Sequence, residues 1–299
     1  MQYDVVILTE DRYESPETLD WYNLQILLED EMLKDALESQ GLKVARKSWS
    51  NADFDWSSTQ AAIFRTTWDY FERFDEFKPW LEATSKTVKF INAGDTIFWN
   101  MDKHYLLDLI ERGVNTVDTH ILKRNQEADL AQLMNEKSWT EAILKPTISG
   151  AARHTYRISS NNVSSIQQQF DELIRAEDFM LQPFQENICE QGELSLMVMG
   201  GRYTHAVQKI AKAGDFRVQD DHGGMVYPYS PTSEEIEFAE KAIAACDPKP
   251  LYGRVDMVRD NNNELAIMEL ELIEPELFFR FHRPATFELA KAIKAQYFS

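Results

Sequence analysis

Cysteine is almost missing from the chain: only Cys189 and Cys246 occur in 299 residues. A disulfide scaffold is thereby excluded, and without paired spacing so is a thiolate zinc site; both read as reduced core thiols. No apolar run reaches the ~18 residues that a membrane-spanning helix requires. The opening stretch, Met1 to Leu8, has neither a basic flank nor a small-residue cleavage site, so a soluble, cytoplasmic protein is expected. Cations are short too, with 31 Lys and Arg against 50 Asp and Glu, a net charge of −19. A field of that sign repels phosphate backbones and anionic lipid, which makes nucleic acid and membrane surfaces poor partners. Hydrophobic residues at 43% and charged residues at 27% are ordinary for a globular protein, which excludes extensive disorder.

Periodicity organises the chain into three stretches. An apolar, β-branched run at 5–8 reads as a buried strand. Leu24, Leu28, Met32 and Ala36 recur at i+4, Leu27, Leu33 and Leu37 widen the stripe, and Gly41 stands at the C-cap of that helix. Further strands are expected at 43–48, 61–65 and 88–91, with a helix at 74–84. Alternating strands and helices predict a parallel α/β layer for the first hundred residues or so. From Asn100, Asp102 caps a helix through Leu109 that stops at Gly113. Strands then fall at 120–122, 142–145, 156–159 and 179–182, with a helix at 163–176. The remainder is richer in strands, at 193–199, 203–209, 252–258 and 265–272, with helices at 234–245 and 286–297.

The sharpest chemical pattern is a hairpin. Arg254-Val255-Asp256-Met257-Val258 and Ile267-Met268-Glu269-Leu270-Glu271-Leu272 flank a turn at Asn262-Asn263. Antiparallel register sets Asp256 opposite Glu269 and Arg254 opposite Glu271, with Val255, Met257, Met268 and Leu270 on the other face. Like charges directly opposed destabilise a sheet. A hard divalent cation such as Mg²⁺, bridging carboxylates to substrate phosphates, would offset that repulsion. An acidic solvent face gives the same pattern.

Other residues stand where structure alone does not ask for them. Lys103 follows Asp102 in the first turn of a helix, where the macrodipole disfavours a cation. Lys145 ends an apolar run before Pro146 and leads into Thr147-Ile148-Ser149-Gly150-Ala151-Ala152, a small-residue loop able to bring backbone N–H groups against phosphate. Met180-Leu181-Gln182-Pro183-Phe184 is a strand running into a proline, which frees backbone groups for a ligand edge. Arg65, Trp68 and Asp69 follow a strand of the first layer, where such sheets present ligand loops, and Arg65 has the geometry to hold a carboxylate; a surface arginine beside a packed tryptophan is the plainer reading. Arg280, His282 and Arg283 form a basic cluster that either binds substrate or offsets acid. His154, His205 and His222 suit structural or substrate-facing roles better than metal ligation.

In this order these residues resemble the ATP-grasp superfamily, in its glutathione synthetase-like branch, from Asn100 to the C-terminus. The resemblance implies an α/β ATP-grasp fold: a parallel-sheet pre-ATP-grasp domain at 1–99 on the substrate side, an N-terminal lid subdomain at 100–184, and a C-terminal subdomain with the metal site at 185–299. It implies that Lys103 and Lys145, with the Ser149-Gly150 loop, contact ATP phosphates, that Gln182, Pro183 and Phe184 hold adenine, and that Glu193 binds ribose. Lys209, Arg217 and the stretch from Asp215 through Gln219 to Gly223-Gly224 are similar to the segment that positions the γ-phosphate and acyl phosphate. Asp256, Glu269 and Glu271 match the Mg²⁺ (or Mn²⁺) set, and Arg254 the arginine that steadies the transferred phosphate. Arg65-Thr66-Thr67-Trp68-Asp69-Tyr70, Trp99-Asn100-Met101-Asp102-Lys103, Gly192-Glu193-Leu194-Ser195 and Met268-Glu269-Leu270-Glu271 through Pro275 resemble the subgroup that contains the D-cycloserine-forming ligase, whose substrate is O-ureidoserine. There are two departures: Glu271 stands where many relatives have Asn, and the phosphate loop has fewer glycines.

The implied activity is an ATP-dependent, ADP-forming ligase that converts a carboxylate to an acyl phosphate and joins it to an amine on a small amino-acid-like substrate. Its partners would be small-molecule carboxylates and amines, with a homo-oligomer left open. A non-catalytic ATP-binding regulator and a kinase of the same fold are the alternatives; the full acidic set with Arg217 favours the ligase.

Overall fold

The computed structural model describes residues 1–212, 214–218 and 223–298; Gln219 and His222 lie outside the described residues. Strands β1 (Tyr3–Thr9), β2 (Val44–Ser48), β3 (Thr59–Thr66) and β4 (Lys89–Ile91) pair in parallel in the order β2-β1-β3-β4. Helices α1 (Asp11–Glu14), α2 (Trp21–Ser39) and α3 (Phe74–Thr84) connect them. α2 ends as expected: Gly41 takes a φ of 79°, and the N–H groups of Gly41 and Leu42 donate back to Glu38 O and Leu37 O.

The buried face of α2 differs from the apolar stripe. Leu24 and Leu28 are exposed, and the helix buries Ile26, Glu29, Asp30, Leu33, Ala36 and Leu37. Two carboxylates are inside because cations from distant elements meet them. Arg46 lies 2.6 Å from Asp30, Arg65 lies 3.6 Å from Glu29 and 3.7 Å from Asp30, and Arg280 lies 3.3 Å from Glu29. Apolar spacing alone carries no signal for such pairing. Cys189 is likewise exposed, whereas Cys246 is buried as expected.

Helices α4 (Gly94–Asn100) and α5 (Tyr105–Glu111) lead into β5 (His120–Leu122), α6 (Leu130–Glu136), β6 (Glu141–Pro146), β7 (Tyr156–Ser159), α7 (Val163–Leu173) and β8 (Phe179–Pro183). This antiparallel sheet has the order β5-β8-β6-β7. After α8 (Asn187–Glu190), strands β9 (Glu193–Met199), β10 (Arg202–Ile210) and β11 (Met225–Tyr229), helix α9 (Ser233–Ala244), strands β12 (Tyr252–Arg259) and β13 (Leu265–Glu271) and helix α10 (Pro284–Tyr297) follow. Their sheet is ordered β11-β10-β9-β12-β13. Unexpected from the sequence are the seven-residue helices α4 and α6 and the strand β11, which is largely exposed and carries Pro228. α5 starts at Tyr105 rather than at Asp102, whose carboxylate accepts from the His104 backbone N–H at 3.1 Å.

The cores join the first and third sheets. Val5, Ile7, Ala61 and Ile63 share a buried cluster with Met197 and Tyr252 of the third sheet and Leu289 and Ile293 of α10. Tyr105, Leu106 and Leu109 of α5 pack under the third sheet with Val255 and Leu270. The middle sheet has its own core around Leu144, Ile158, Phe170 and Phe179.

The hairpin pairs Arg254 with Glu271, Val255 with Leu270 and Asp256 with Glu269, then slips so that Met257 faces Ile267. The slip is a β-bulge at Met268. Val255, Met257 and Leu270 share the expected core. Met268 leaves it and packs near Phe184, Ile188 and Val218 instead.

Candidate active site

A cavity of about 530 Å³ lies where the three sheets meet. Its apolar end is formed by Ile143, Phe184, Ile188, Val218 and Met268, a slot of the right chemistry for a flat ring. Gln182 and Pro183 edge this slot. The expected free backbone groups are fewer than proline alone suggests: the Phe184 N–H donates to Glu141 O at 3.0 Å, and the Gln182 side chain donates to Thr119 Oγ1 at 2.9 Å.

The centre of the cavity alternates acids and cations. Register sets Lys209 of β10 opposite Glu193 of β9, and the two form an ion pair. Lys209 Nζ also lies 3.2 Å from Asp256, and Ser195 Oγ donates to Asp256 Oδ1 at 2.5 Å. Arg254 spans Asp256, at 2.8 Å, and Glu271. Lys103 meets Glu269 at 3.1 Å and donates to Ser149 O at 2.5 Å. Arg217 lines the same space and pairs with Asp215 at 2.7 Å. Gly150 lies beside Phe71 at the rim. Lys145 differs from the other lysines: its ammonium has no hydrogen bond or ion pair within the described residues.

Burial and pairing pull these groups in different directions. Burial raises Asp256, but Arg254 and Lys209 outweigh it and hold the carboxyl well below the usual range. Glu269, which is part-buried, is held down by Lys103 and Lys145. Burial pushes Glu271 up to about 8, Glu274 up to about 7, and Glu193 upward. Burial lowers Lys145; it also lowers Lys209, but there Asp256 and Glu193 reverse the sign.

Among the described residues no three His, Cys, Asp or Glu side chains gather into a metal cage. The expected trio is therefore not preformed. Both Asp256 oxygens accept hydrogen bonds from Arg254, one also from Ser195 and the other from Lys209. Glu269 and Glu271 are hard oxygen donors, and Asp256, Glu269 and Glu274 add to the burial that, against Arg254, pushes Glu271 up to about 8. That suits Mg²⁺, which commonly takes one or two carboxylates and completes its shell with substrate phosphates and water.

At the far end stand Arg12, Tyr13, Tyr22, Trp68, Glu72, Glu274, Glu276 and Phe278. Of the three expected substrate residues only Trp68 lines the cavity. Arg65 is buried outside it and donates to Pro275 O at 2.8 Å. Asp69 accepts from Trp49 Nε1 at 2.7 Å and from Arg73 at 3.0 Å, which makes it a packing residue. Arg280 pairs with Glu29 and Glu276 and so offsets acid; Arg283 meets Asp35 at 3.4 Å, and His282 stacks on His205. Ser195 and Glu274 carry no expected site role, although both stand in stretches that resemble the subgroup. Ser195 was findable, two residues after Glu193 on the same strand face; Glu274 lies past the last strand and has no periodic signal.

The model of the prokaryotic glutathione synthetase ATP-grasp domain matches residues 110–267, and that of the D-cycloserine synthetase DcsG N-terminal domain matches residues 5–92. The cycloserine biosynthesis protein DcsG of Streptomyces lavendulae is 26% identical over 285 residues, covering 87% of this chain and 91% of that protein. The crystal structure of D-cycloserine synthetase DcsG superposes with a TM-score of 0.86 at 24% identity, over 98% of this chain and 99% of that one. The ATP-grasp ligase PsnB, complexed with a phosphomimetic variant of its minimal precursor, Mg and ADP, gives a TM-score of 0.64 at 12% identity, over 99% of both chains. The glutathione synthetase match alone spans just over half of the sequence, and on the fold described above it assigns the chain to the ATP-grasp family of ATP-dependent, ADP-forming carboxylate–amine ligases.

Proposed function

We propose that this ligase acts on a small amino-acid-like substrate: ATP phosphorylates a carboxylate to an acyl phosphate, and an amine then displaces phosphate. The observation that carries the reading is the unpartnered Lys145 ammonium in a cavity whose other cations face carboxylates, since a half-buried cation without an ion-pair partner is costly unless a ligand supplies the anion. In this reading Lys103 and Lys145 hold ATP phosphates beside the Ser149-Gly150 loop, and Gln182, Pro183 and Phe184 border adenine above the Met268 slot. Glu193 accepts from ribose. Lys209 and Arg217 orient the γ-phosphate, and Arg254 neutralises the acyl phosphate. Magnesium would be held by Glu269 and Glu271 together with phosphate oxygens, Asp256 joining when phosphates draw Lys209 or Arg254 away; it supplies charge neutralisation at the migrating phosphoryl group.

The chain's own residues position and exclude water, and no side-chain nucleophile is needed. Residues 1–99 supply the substrate end, 100–184 the lid and 185–299 the metal hairpin. The separate core of the middle sheet supports a lid that moves as a unit. The names of the relatives support a small-molecule substrate and the cofactors: one is a D-cycloserine synthetase, and the PsnB structure is a complex with Mg and ADP. No described helix is long and apolar enough to cross a membrane, and a cytoplasmic setting belongs to the same reading.

Glu269→Gln keeps the shape of the side chain and removes its charge. It should abolish magnesium-dependent ADP release, a loss of roughly 10²-fold or more, with an unchanged far-UV CD spectrum. Undiminished turnover in that variant would overturn the metal assignment.

A further inference from the structure

Residues 273–277, which follow β13, are held by a side-chain donor at every carbonyl. Tyr252 donates to Ile273 O at 2.8 Å, Trp68 Nε1 to Glu274 O at 2.9 Å and Arg65 Nη1 to Pro275 O at 2.8 Å. Arg254 Nη1 donates to Glu276 O at 3.2 Å, and His205 Nε2 to Leu277 O at 2.8 Å. The donors come from the first layer as well as from β10 and β12, so two parts of the fold fix one short segment. Pro275 and Leu277 are buried, while Glu274 and Glu276 line the cavity. A backbone held this firmly presents its side chains in a fixed place, the condition for selective binding.

The two carboxylates differ. Glu276 is neutralised by Arg280, which also meets Glu29. Glu274 has no ion-pair partner among the described residues, and burial pushes its carboxyl up to about 7. Lys103 and Arg254 act on Glu274 without pairing with it, since Lys103 pairs with Glu269 and Arg254 with Asp256 and Glu271; Arg12, which lines this end, is paired with buried Glu10. Trp68 has spent its indole N–H on Glu274 O, and its ring lines the cavity. Tyr13 packs edge-on against Trp68 with ring centroids 5.8 Å apart, and Tyr22 lies 6.4 Å from it. An open carboxylate beside aromatic faces attracts a cation twice over, by ion pairing and by the ring quadrupole. The same carboxylate, with Glu72 and Glu276 near, repels an anionic group. The phosphates therefore belong to the lysine end and a positively charged group to this one.

We propose that Glu274, with the face of Trp68, binds the amino group of the substrate as its ammonium form. The inference rests on the ligase reading above and deepens it: the amine-bearing molecule must present a primary ammonium, and an N-acylated counterpart is rejected because it brings no charge to Glu274.

The test is calorimetric titration of the wild-type protein loaded with a non-hydrolysable ATP analogue and Mg²⁺, using D-serine, L-serine and ethanolamine as probes, each serine also as its N-acetyl derivative. At least one amine should bind roughly 30-fold more tightly than its acetylated counterpart or, for ethanolamine, than N-acetylserine. Glu274→Gln should weaken the bound amine by roughly 30-fold, leave nucleotide affinity within about twofold, and be partly rescued by Glu274→Asp. Equal binding of free and acetylated probes, no binding of any amine, or an unchanged amine affinity in Glu274→Gln would each overturn the proposal. Trp68→Phe keeps a ring while removing the clamp on Glu274 O, and it should weaken the amine selectively even if Glu274→Gln fails to fold. ADP release by the wild type, measured separately with hydrolysable ATP, judges the ligase reading, so the two fail independently.

Discussion

Lys145→Met should leave the fold at least as stable as the wild type while removing most of its turnover. The Lys145 ammonium makes no hydrogen bond or ion pair among the described residues, and burial draws its pKa down against the more distant Glu269 and Glu193, so the fold does not depend on its charge. Methionine is close in length and leaves little void, so the unfolding free energy should change by between zero and about +1 kcal/mol. Lys209 is the opposite case. It bridges Glu193 and Asp256 in the closed interior, and Lys209→Met strands both carboxylates beside Arg254. Removing one partner of a buried ion pair costs roughly 3–5 kcal/mol. At ~2–4 °C per kcal/mol for a chain of this size, Lys209→Met should melt about 6–20 °C below the wild type, with Lys145→Met at or above it. Both should lose roughly 10²–10³ in ADP release, as the loss of one positioned charge commonly does. Urea melts paired with a coupled ADP assay decide the matter. A Lys145→Met protein destabilised by more than about 1 kcal/mol, or one that keeps turnover within about threefold, would refute the assignment of Lys145 to the ligand.

Two further outcomes follow from single residues. Burial holds the His205 ring down to about 4 from its ordinary 6.5, and its neutral form clamps Leu277 O. A depressed pKa contributes stability above the unfolded value that is lost as pH falls from about 6.5 through 4, in all about 3 kcal/mol; urea melts across that window should show the loss, and His205→Gln should flatten it. Gly192 has a φ of 73°, and a Cβ there would meet Lys209 O at 2.4 Å, so Gly192→Ala should destabilise by at least about 1–3 kcal/mol and raise the KM for ATP through the displaced Glu193–Lys209 pair; an unchanged melt and KM would remove the strain argument.

Features set by short-range rules are legible in the sequence. Period two and one turn were enough to pair Arg254 with Glu271 and Asp256 with Glu269, and alternation of elements was enough for the parallel first layer. Features set by remote partners are not legible there. The buried face of α2 is decided by Arg46, Arg65 and Arg280, and Arg280 lies some 250 residues from Glu29. The bulge at Met268 is invisible because either register keeps Val255 and Leu270 inside. Arg65 looked like a substrate arginine because it ends a strand near the ligand loops; its actual partner, the carbonyl of Pro275, is 210 positions away. Glu274 has meaning only once that same segment is folded against Trp68.

The most direct measurement counts ADP, inorganic phosphate and coupled product in one reaction across carboxylate and amine substrates, O-ureidoserine among them. A ligase working through an acyl phosphate releases ADP and phosphate in equal amounts with one amide formed per turnover, and only when both the carboxylate and the amine are present, on one molecule or two. ADP formed with a stable phosphorylated product and no free phosphate, or nucleotide bound with no ADP under any pairing, would contradict it.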